Sequence, residues 1–391
     1  MDFVRTGVVG VGNMGTAHAT TLYENRIHGM KLAAVCDVAE DRLRYCSEHF
    51  QNVPQFRDYH EMIRSGLLDA LIVAVPHRLH SVIASESLDA GLHTLTEKPE
   101  DVMTSRARSL NRHAEDSGKV FAIMFNQRTN AVFQRAREIV QSGQLGELKR
   151  SVWVITNWYR TQHYYDSGAW RATWAGEGGG VLLNQAPHNL DLWQWICGMP
   201  VSVTAYCDEA RYHHIEVEDD ATIFTRYANG ATGIFITSTG EYPGTNRLEI
   251  SGEKGKLVLE GGKIHWWRLK TSEREIRFQS PDSFARIETE YEEIEPVSVP
   301  GAHAAILQNF ANAILHGESL LSPGREGINE LTISNAAYLS QWTGNSTIRL
   351  PLDEELFDAE LEKRSRQSVF REKKETENPD GLYSNRWQVN W

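Results

Sequence analysis

The sequence predicts an α/β protein, a doubly wound parallel sheet followed by an α+β domain whose open sheet is mostly antiparallel. Three observations predict it. Up to about residue 126, short apolar runs alternate with stretches long enough for crossover helices. Beyond about residue 200, strand-like runs follow one another with few helices between them. A chain of 391 residues also exceeds the size at which one core stops growing, so two domains are expected.

In the first part, VRTGVVG (4–10), KLAAVCD (31–37), DALIVAVP (69–76), LHTLTEKP (92–99) and KVFAIMFN (119–126) read as strands buried on both faces. From about 127 a helix, NAVFQRAREIVQSG, leads into the strand-like KRSVWVITNWYRT. Asn229-Gly230 between two β-rich runs signals a hairpin, because both residue types tolerate positive φ. Three further strands are expected within 246–269. Two helices, one within 303–316 and one from 323 to about 342, are expected on one face of that sheet. The second would take Ser322 as N-cap and Pro323 as its first residue. A last helix over 353–366 precedes a tail whose Leu382, Tyr383, Trp387 and Trp391 suggest docking. The expected divisions are 1–126, 127–352 and 353–391.

Composition narrows the function. Forty Lys and Arg against 52 Asp and Glu give a formal charge of -12, with no basic stripe, which disfavours nucleic acid as a partner. The start shows no secretory signal, and no apolar run approaches the roughly 20 residues of a membrane span. Cys36, Cys46, Cys197 and Cys207 form no C-x-x-C pair and read as reduced thiols of a cytoplasmic protein. A small-molecule substrate is the expected partner.

Gly10-Val11-Gly12-Asn13-Met14-Gly15 is a G-x-G-x-x-G after an apolar strand and before a helix, the context that gives the motif meaning. The glycines allow a tight turn and close approach of a pyrophosphate to the helix N-terminus. Asp37, at the end of the next strand, is placed to accept the ribose hydroxyls of an adenosine and to repel a 2'-phosphate. NAD is therefore favoured over NADP, with Arg42 one turn further on as the contrary signal. Pro76, His77 and His80 fall at the carboxyl edge of the sheet, against the cofactor or capping the following helix.

Glu97-Lys98-Pro99 closes the fourth strand, and Lys98 would face the nicotinamide, where burial lowers a lysine's proton affinity. Further on, GGGVLLNQAPHNLDLWQW (178–195) reads as three glycines running into a helix that carries Asn184, His188 and Asp191 on one side. Together with GVGNMG, CD (36–37) and VAVPHRLH, these motifs resemble the Gfo/Idh/MocA family, the glucose-fructose oxidoreductase and inositol dehydrogenase relatives, in order from residue 4 to about 350. The resemblance implies a Rossmann domain, then an α/β domain whose open sheet packs dimers or tetramers. It implies hydride exchange between a nicotinamide and a sugar, cyclitol or related polyol. In the family's pattern the residues matched by Lys98 and His188 serve the acid-base step, and an Asp commonly stands where this chain has Asn184. Asp191 either orients the imidazole or pairs elsewhere.

The stretch 156–180 is dense in aromatic and hydrogen-bonding side chains. Trp158, Tyr159, Arg160, Tyr164, Tyr165, Trp170, Arg171 and Trp174 suit a pyranose, or alternatively packing. Asn126, Gln127 and Arg128, after the fifth strand, are expected as wall residues, with Asn126 near the cofactor. His213, His214 and the acids 216–220 read as a half-exposed strand entry, with no metal assigned. Two other functions fit the same motifs: glycoside cleavage by transient oxidation with NAD retained, and a dinucleotide-binding sensor without catalysis.

Overall fold

The computed structural model describes residues 3–168, 170–297 and 301–369; the expected tail contacts lie outside them. Strands β1 (Val4–Val9), β2 (Met30–Cys36), β3 (Gln55–Phe56), β4 (Ala70–Val73), β5 (His93–Thr96) and β6 (Phe121–Ile123) form the first sheet. Their order is β3-β2-β1-β4-β5-β6 and every pairing is parallel. The chain reverses direction of winding between β1 and β4, which opens a crevice at their carboxyl ends. The central runs are apolar on both faces because helices cover both: all four β4 residues are buried.

The second sheet has nine strands. These are β7 (Leu148–Ile155), β8 (Ser202–Glu209), β9 (Glu218–Arg226), β10 (Thr232–Ser238), β11 (Asn246–Gly252), β12 (Gly255–Glu260), β13 (Lys263–Leu269), β14 (Thr289–Ile294) and β15 (Ile348–Arg349). The order is β14-β13-β12-β11-β7-β10-β9-β8-β15, antiparallel throughout except for the parallel pair β7–β10. Period-two alternation puts Trp153, Ile223 and Phe235 on the inner face, all fully buried, where helices Pro187–Cys197 and Gly327–Trp342 join the same core. Among the described residues no helix is long and apolar enough to cross a membrane.

Three local expectations are corrected. The helix Ala302–His316 covers the first sheet, not the second: Ile306, Leu307, Phe310 and Ala311 pack with Val4, Val8, Ala19 and Leu22. Its apolar stripe demands a sheet without specifying which. Ser322 does not cap the next helix. Pro323 is extended (φ -59°, ψ 133°) and bridges Ala122, while the Ser322 carbonyl accepts from Ile123 N at 3.2 Å, so this segment lines the free edge of β6. A 3-10 turn over Gly324–Glu326 then precedes the α-helix. The β9–β10 hairpin forms, but through a longer loop: Tyr227 N donates to Ala231 O at 2.9 Å and only Gly230 of the Asn-Gly pair has positive φ, at 84°.

Candidate active site

After β1 the chain turns at Gly10, whose φ of 83° and closeness to the Ala74 carbonyl exclude a side chain. A Cβ on Gly15 would overlap the Gly10 carbonyl, which lets the helix Asn13–Tyr23 start tight against the strand. Gly12 differs: a Cβ there would meet nothing within 4 Å. The helix has no side-chain N-cap, with exposed Asn13 and part-exposed Met14 in its first turn, so its leading N–H groups remain for an anion. Open space at Gly12 and uncapped donors fit a dinucleotide pyrophosphate.

Asp37 and Arg42 brace this loop. Asp37 accepts from Val11 N at 2.8 Å and from Ala39 N at 2.9 Å. Arg42 donates to the Val11 carbonyl at 2.8 Å, the Gly12 carbonyl at 3.3 Å and Thr16 Oγ1 at 2.9 Å. The guanidinium that argued for a 2'-phosphate is thus committed to the protein.

Lys98 follows β5 at the carboxyl edge of the first sheet, and its Nζ donates to the Asn184 carbonyl at 2.7 Å, across to the second sheet's side of the cleft. Burial pushes the ammonium below the ordinary lysine range, against the pull of Glu97, Glu330 and Glu177. His188 stands in the first turn of helix Pro187–Cys197, edge-on to Phe125 with ring centroids 6.3 Å apart. Burial, then the Lys98 charge, hold its proton affinity well below normal, so a neutral imidazole is favoured. Behind Lys98, His18 Nε2 lies 2.7 Å from Glu97 Oε1. Burial alone would raise Glu97, but the His18 hydrogen bond and the His18, His303 and Lys98 charges outweigh it and bring it down to about 2.

The expected polar stripe is not one helix face. Residues 181–186 form turns, and the helix begins only at Pro187. Gly180 sits so close to the Glu218 carbonyl that a side chain cannot fit, and Glu218 accepts from Gly180 N and Leu182 N, both at 2.9 Å. That fastening points the Asn184 carbonyl at Lys98 while its amide donates to Glu177 and its Oδ1 takes Tyr164 OH at 3.4 Å. Arg171 donates to Tyr164 OH at 2.8 Å and stacks on Tyr164 and Trp170, at 4.6 and 4.7 Å to the centroids. Trp170 in turn meets His77 edge-on at 5.7 Å, and His77 Nδ1 lies 3.0 Å from the Glu177 carbonyl.

Several expected wall residues stand elsewhere. Arg128 is fully buried and paired with Asp191 and Glu326, so its guanidinium and the Asp191 carboxylate are engaged with each other. Trp158 and Tyr165 are core residues, with Trp158 Nε1 donating to Asn189 and Tyr165 OH 2.8 Å from Thr239 Oγ1. Trp174 packs edge-on against Tyr338 and Trp342. Tyr159 is exposed beside Tyr242, and Arg160 folds back on the Trp158 and Tyr159 carbonyls. His80, Asn126 and Gln127 are buried; His80 lies between the Pro99 and Val75 carbonyls and Asn126 lies 3.5 Å from His303 Nδ1. The acids of 216–220 are not a uniformly half-exposed entry: Glu218 and Asp219 are fully buried, and Asp219 accepts from the backbone of Arg211, Tyr212 and His213.

Sequence reasoning missed Glu177, His18 and His303. His18 falls one turn beyond the glycine motif, and Glu177 directly precedes the three glycines; neither position carries a spacing signal of its own.

Residues 4–125 match the oxidoreductase family with an NAD-binding Rossmann fold, and residues 133–258 match the GFO/IDH/MocA C-terminal domain. The chain belongs to the GFO/IDH/MocA oxidoreductase family. Within this family it is 28% identical to the myo-inositol 2-dehydrogenase of Thermotoga maritima over 266 residues, 66% of this chain and 75% of that protein. It is also similar to the WlbA dehydrogenase of Bordetella pertussis, solved with NADH and UDP-GlcNAcA, at 27% identity and TM-score 0.75, covering 90% of this chain and all of that one. The WlbA dehydrogenase of Chromobacterium violaceum, with the same two ligands, gives 27% identity and TM-score 0.76 over 90% of this chain and 97% of that one. NAD is the family's cofactor, and the Gly12 opening is where this chain would hold its pyrophosphate.

Proposed function

We propose that this oxidoreductase exchanges hydride between NAD and a secondary hydroxyl carbon of a sugar, cyclitol or glycoside, with Lys98 and His188 handling the proton. The observation that carries the reading is Lys98 Nζ held 2.7 Å from the Asn184 carbonyl, at the edge of the NAD-binding sheet and facing the second domain. Bound NAD supplies a hydride acceptor. The hydroxyl proton must leave as that hydride does, and a lysine whose proton affinity burial lowers is a workable acceptor for it on Nζ. The ammonium so formed keeps its hydrogen bond to Asn184. A neutral His188 can donate to or accept from the same substrate oxygen.

The substrate class follows from the named relatives, which act on an inositol or bind a nucleotide sugar. It is supported by Arg171 layered between Tyr164 and Trp170, a cation and two rings suited to a hydroxylated ring. The test supplies NAD with a panel of inositols, monosaccharides, glycosides and nucleotide sugars and follows reduced cofactor. Lys98→Met should abolish turnover while leaving NAD affinity nearly unchanged; retained turnover sinks the reading. Aglycone release without accumulating NADH would assign the redox-neutral cleavage instead.

The same proposal includes a homo-oligomer in the cytoplasm, packed through the outer face of the second sheet. On that face Phe224, Ile234 and Val152 stand in register across β9, β10 and β7, all partly exposed.

A further inference from the structure

Residues 170–178, which carry Trp170 and Arg171, form a compact turn. Arg171 N donates to the Gly168 carbonyl at 3.1 Å, and Glu177 N and Gly178 N both donate to the Thr173 carbonyl, at 3.0 and 3.1 Å. A Cβ on Gly176 would lie 2.4 Å from the Trp170 carbonyl, so the two arms of the turn are packed together and shift as one body. Whatever holds the tip at Trp174 therefore sets where Trp170 and Arg171 stand.

Arg78 holds that tip from the cofactor domain. It lies in the 3-10 turn His77–Leu79, after β4 at the carboxyl edge of the first sheet. Its Nη2 donates to the Trp174 carbonyl at 2.9 Å and to Ser365 Oγ at 2.6 Å, and its Nη1 to Glu362 Oε1 at 3.3 Å. Ser365 Oγ donates to the same Trp174 carbonyl at 3.1 Å, and both Ser365 and Glu362 belong to the C-terminal helix Glu354–Gln367. One guanidinium thus joins the edge of the cofactor crevice, the wall turn and the last helix. The preceding residue, His77, touches the base of the same turn through Trp170 and the Glu177 carbonyl. Three residues before His77, the Ala74 carbonyl stands against Gly10 of the nucleotide turn.

We propose that Arg78 is a positioning residue for the substrate: by pinning Trp174 to the C-terminal helix at the edge of the cofactor crevice, it fixes the wall that Trp170 and Arg171 form. The inference rests on the proposed function in taking Trp170 and Arg171 as substrate contacts.

The other contacts of the tip come from different directions. Trp174 N donates to Glu216 Oε2 at 3.4 Å, Ala175 N donates to Ser368 Oγ at 2.9 Å, and the Trp174 ring packs on Tyr338 and Trp342. The C-terminal helix has anchors of its own on the cofactor domain, Ser105 Oγ donating to Asp358 at 2.6 Å and Arg108 pairing with Glu354 at 2.7 Å. Removing the Arg78 head therefore loosens the turn without undocking the helix.

The first measurement needs no substrate. Hydrogen–deuterium exchange of the full chain is followed by mass spectrometry in the parent, Arg78→Met and Arg78→Lys. Amides of 170–177 should exchange about tenfold faster in Arg78→Met, as expected when a charged donor leaves a backbone carbonyl, while β4 and β7 exchange as in the parent. Arg78→Lys keeps a charged donor without the fork and should recover part of the protection. Unchanged exchange in 170–177 overturns the proposal, and so does an equal acceleration in β4 and β7, which would mean general loosening. On the compound that the substrate panel identifies, Arg78→Met should raise KM about tenfold with kcat within about twofold and NAD affinity retained, the pattern of lost substrate binding. A fall in kcat at unchanged KM overturns the positioning role. No turnover by the parent on any compound of the panel would instead remove the dehydrogenase reading, with the exchange result still standing.

Discussion

The Arg128 guanidinium grips the Asp191 carboxylate through two hydrogen bonds of 2.6 and 2.8 Å, with both side chains fully buried. Arg128 Nη1 also reaches Glu326, tying the 3-10 turn Asn126–Thr129, which follows β6, to helix Pro187–Cys197 and to the start of helix Gly327–Trp342. Such a pair is costly to break from one side, because the surviving charge stays buried. Arg128→Met should therefore lower unfolding free energy by about 3 to 5 kcal/mol in chemical denaturation. Replacing both partners together with apolar residues should recover much of the loss. If Arg128→Met instead left stability intact and raised KM alone, Arg128 would belong to the substrate pocket after all.

Gly12 and Gly10 separate cofactor binding from folding. Alanine at Gly12 meets no protein atom within 4 Å, so melting temperature should stay nearly constant while NAD affinity falls by about tenfold or more, since the methyl fills space meant for the pyrophosphate. Alanine at Gly10 meets the Ala74 carbonyl at a φ of 83°, and should destabilise the protein itself by about 1 kcal/mol or more. Calorimetry with and without NAD reads both. Equal losses of stability in the two variants would contradict the division.

The glycine turn itself was legible in the sequence, because glycine spacing after a strand encodes local backbone geometry; which glycine faces open space was not. Five of the six strands of the first sheet were legible for a similar reason, since a short, near-continuous apolar run bounded by turn residues suits a strand covered on both faces; the two-residue edge strand β3 carries no such run. Which sheet receives helix Ala302–His316 was not, since an apolar stripe specifies burial and not the partner. Arg128 and Trp158 read as pocket residues because a guanidinium or an indole looks alike in sequence whether it meets a substrate or a buried Asp191 or Asn189. Glu177 was illegible because its importance comes from a turn, pinned by Glu218, that folds it back onto Asn184.

His303 should make the protein acid-labile in a defined window. Burial, with the His18 and Lys98 charges, lowers its folded value to about 4, from an ordinary 6.5 that the unfolded chain retains. The unfolded state thus takes up a proton first as pH falls, and stability present above 6.5 is lost between 6.5 and about 4. Glu97, held at about 2 against an ordinary 4.5, acts in the same direction but only below 4.5. The difference in melting temperature between parent and His303→Asn should therefore change between pH 6.5 and 4 and be flat above that range. A difference independent of pH would mean that His303 contributes packing alone.

The outer face of the second sheet gives the last prediction. Alternation along β10 buries Phe235 in the core and leaves Ile234 and Ile236 on the opposite side, partly exposed; β7 repeats the pattern with Val152 and Val154. Register aligns Phe224, Ile234 and Val152 in one row and Ile236 and Val154 in the next, an apolar band that helices leave uncovered. A contiguous apolar surface in the middle of a sheet is unfavourable in water and marks an interface. Ile234→Glu places a charge at the centre of that band without touching the core or the Lys98 loop. Sedimentation should then show a monomer where the parent sediments as a dimer or larger assembly, with NAD affinity retained. A parent that is monomeric at every concentration would refute the assignment of this face to self-association.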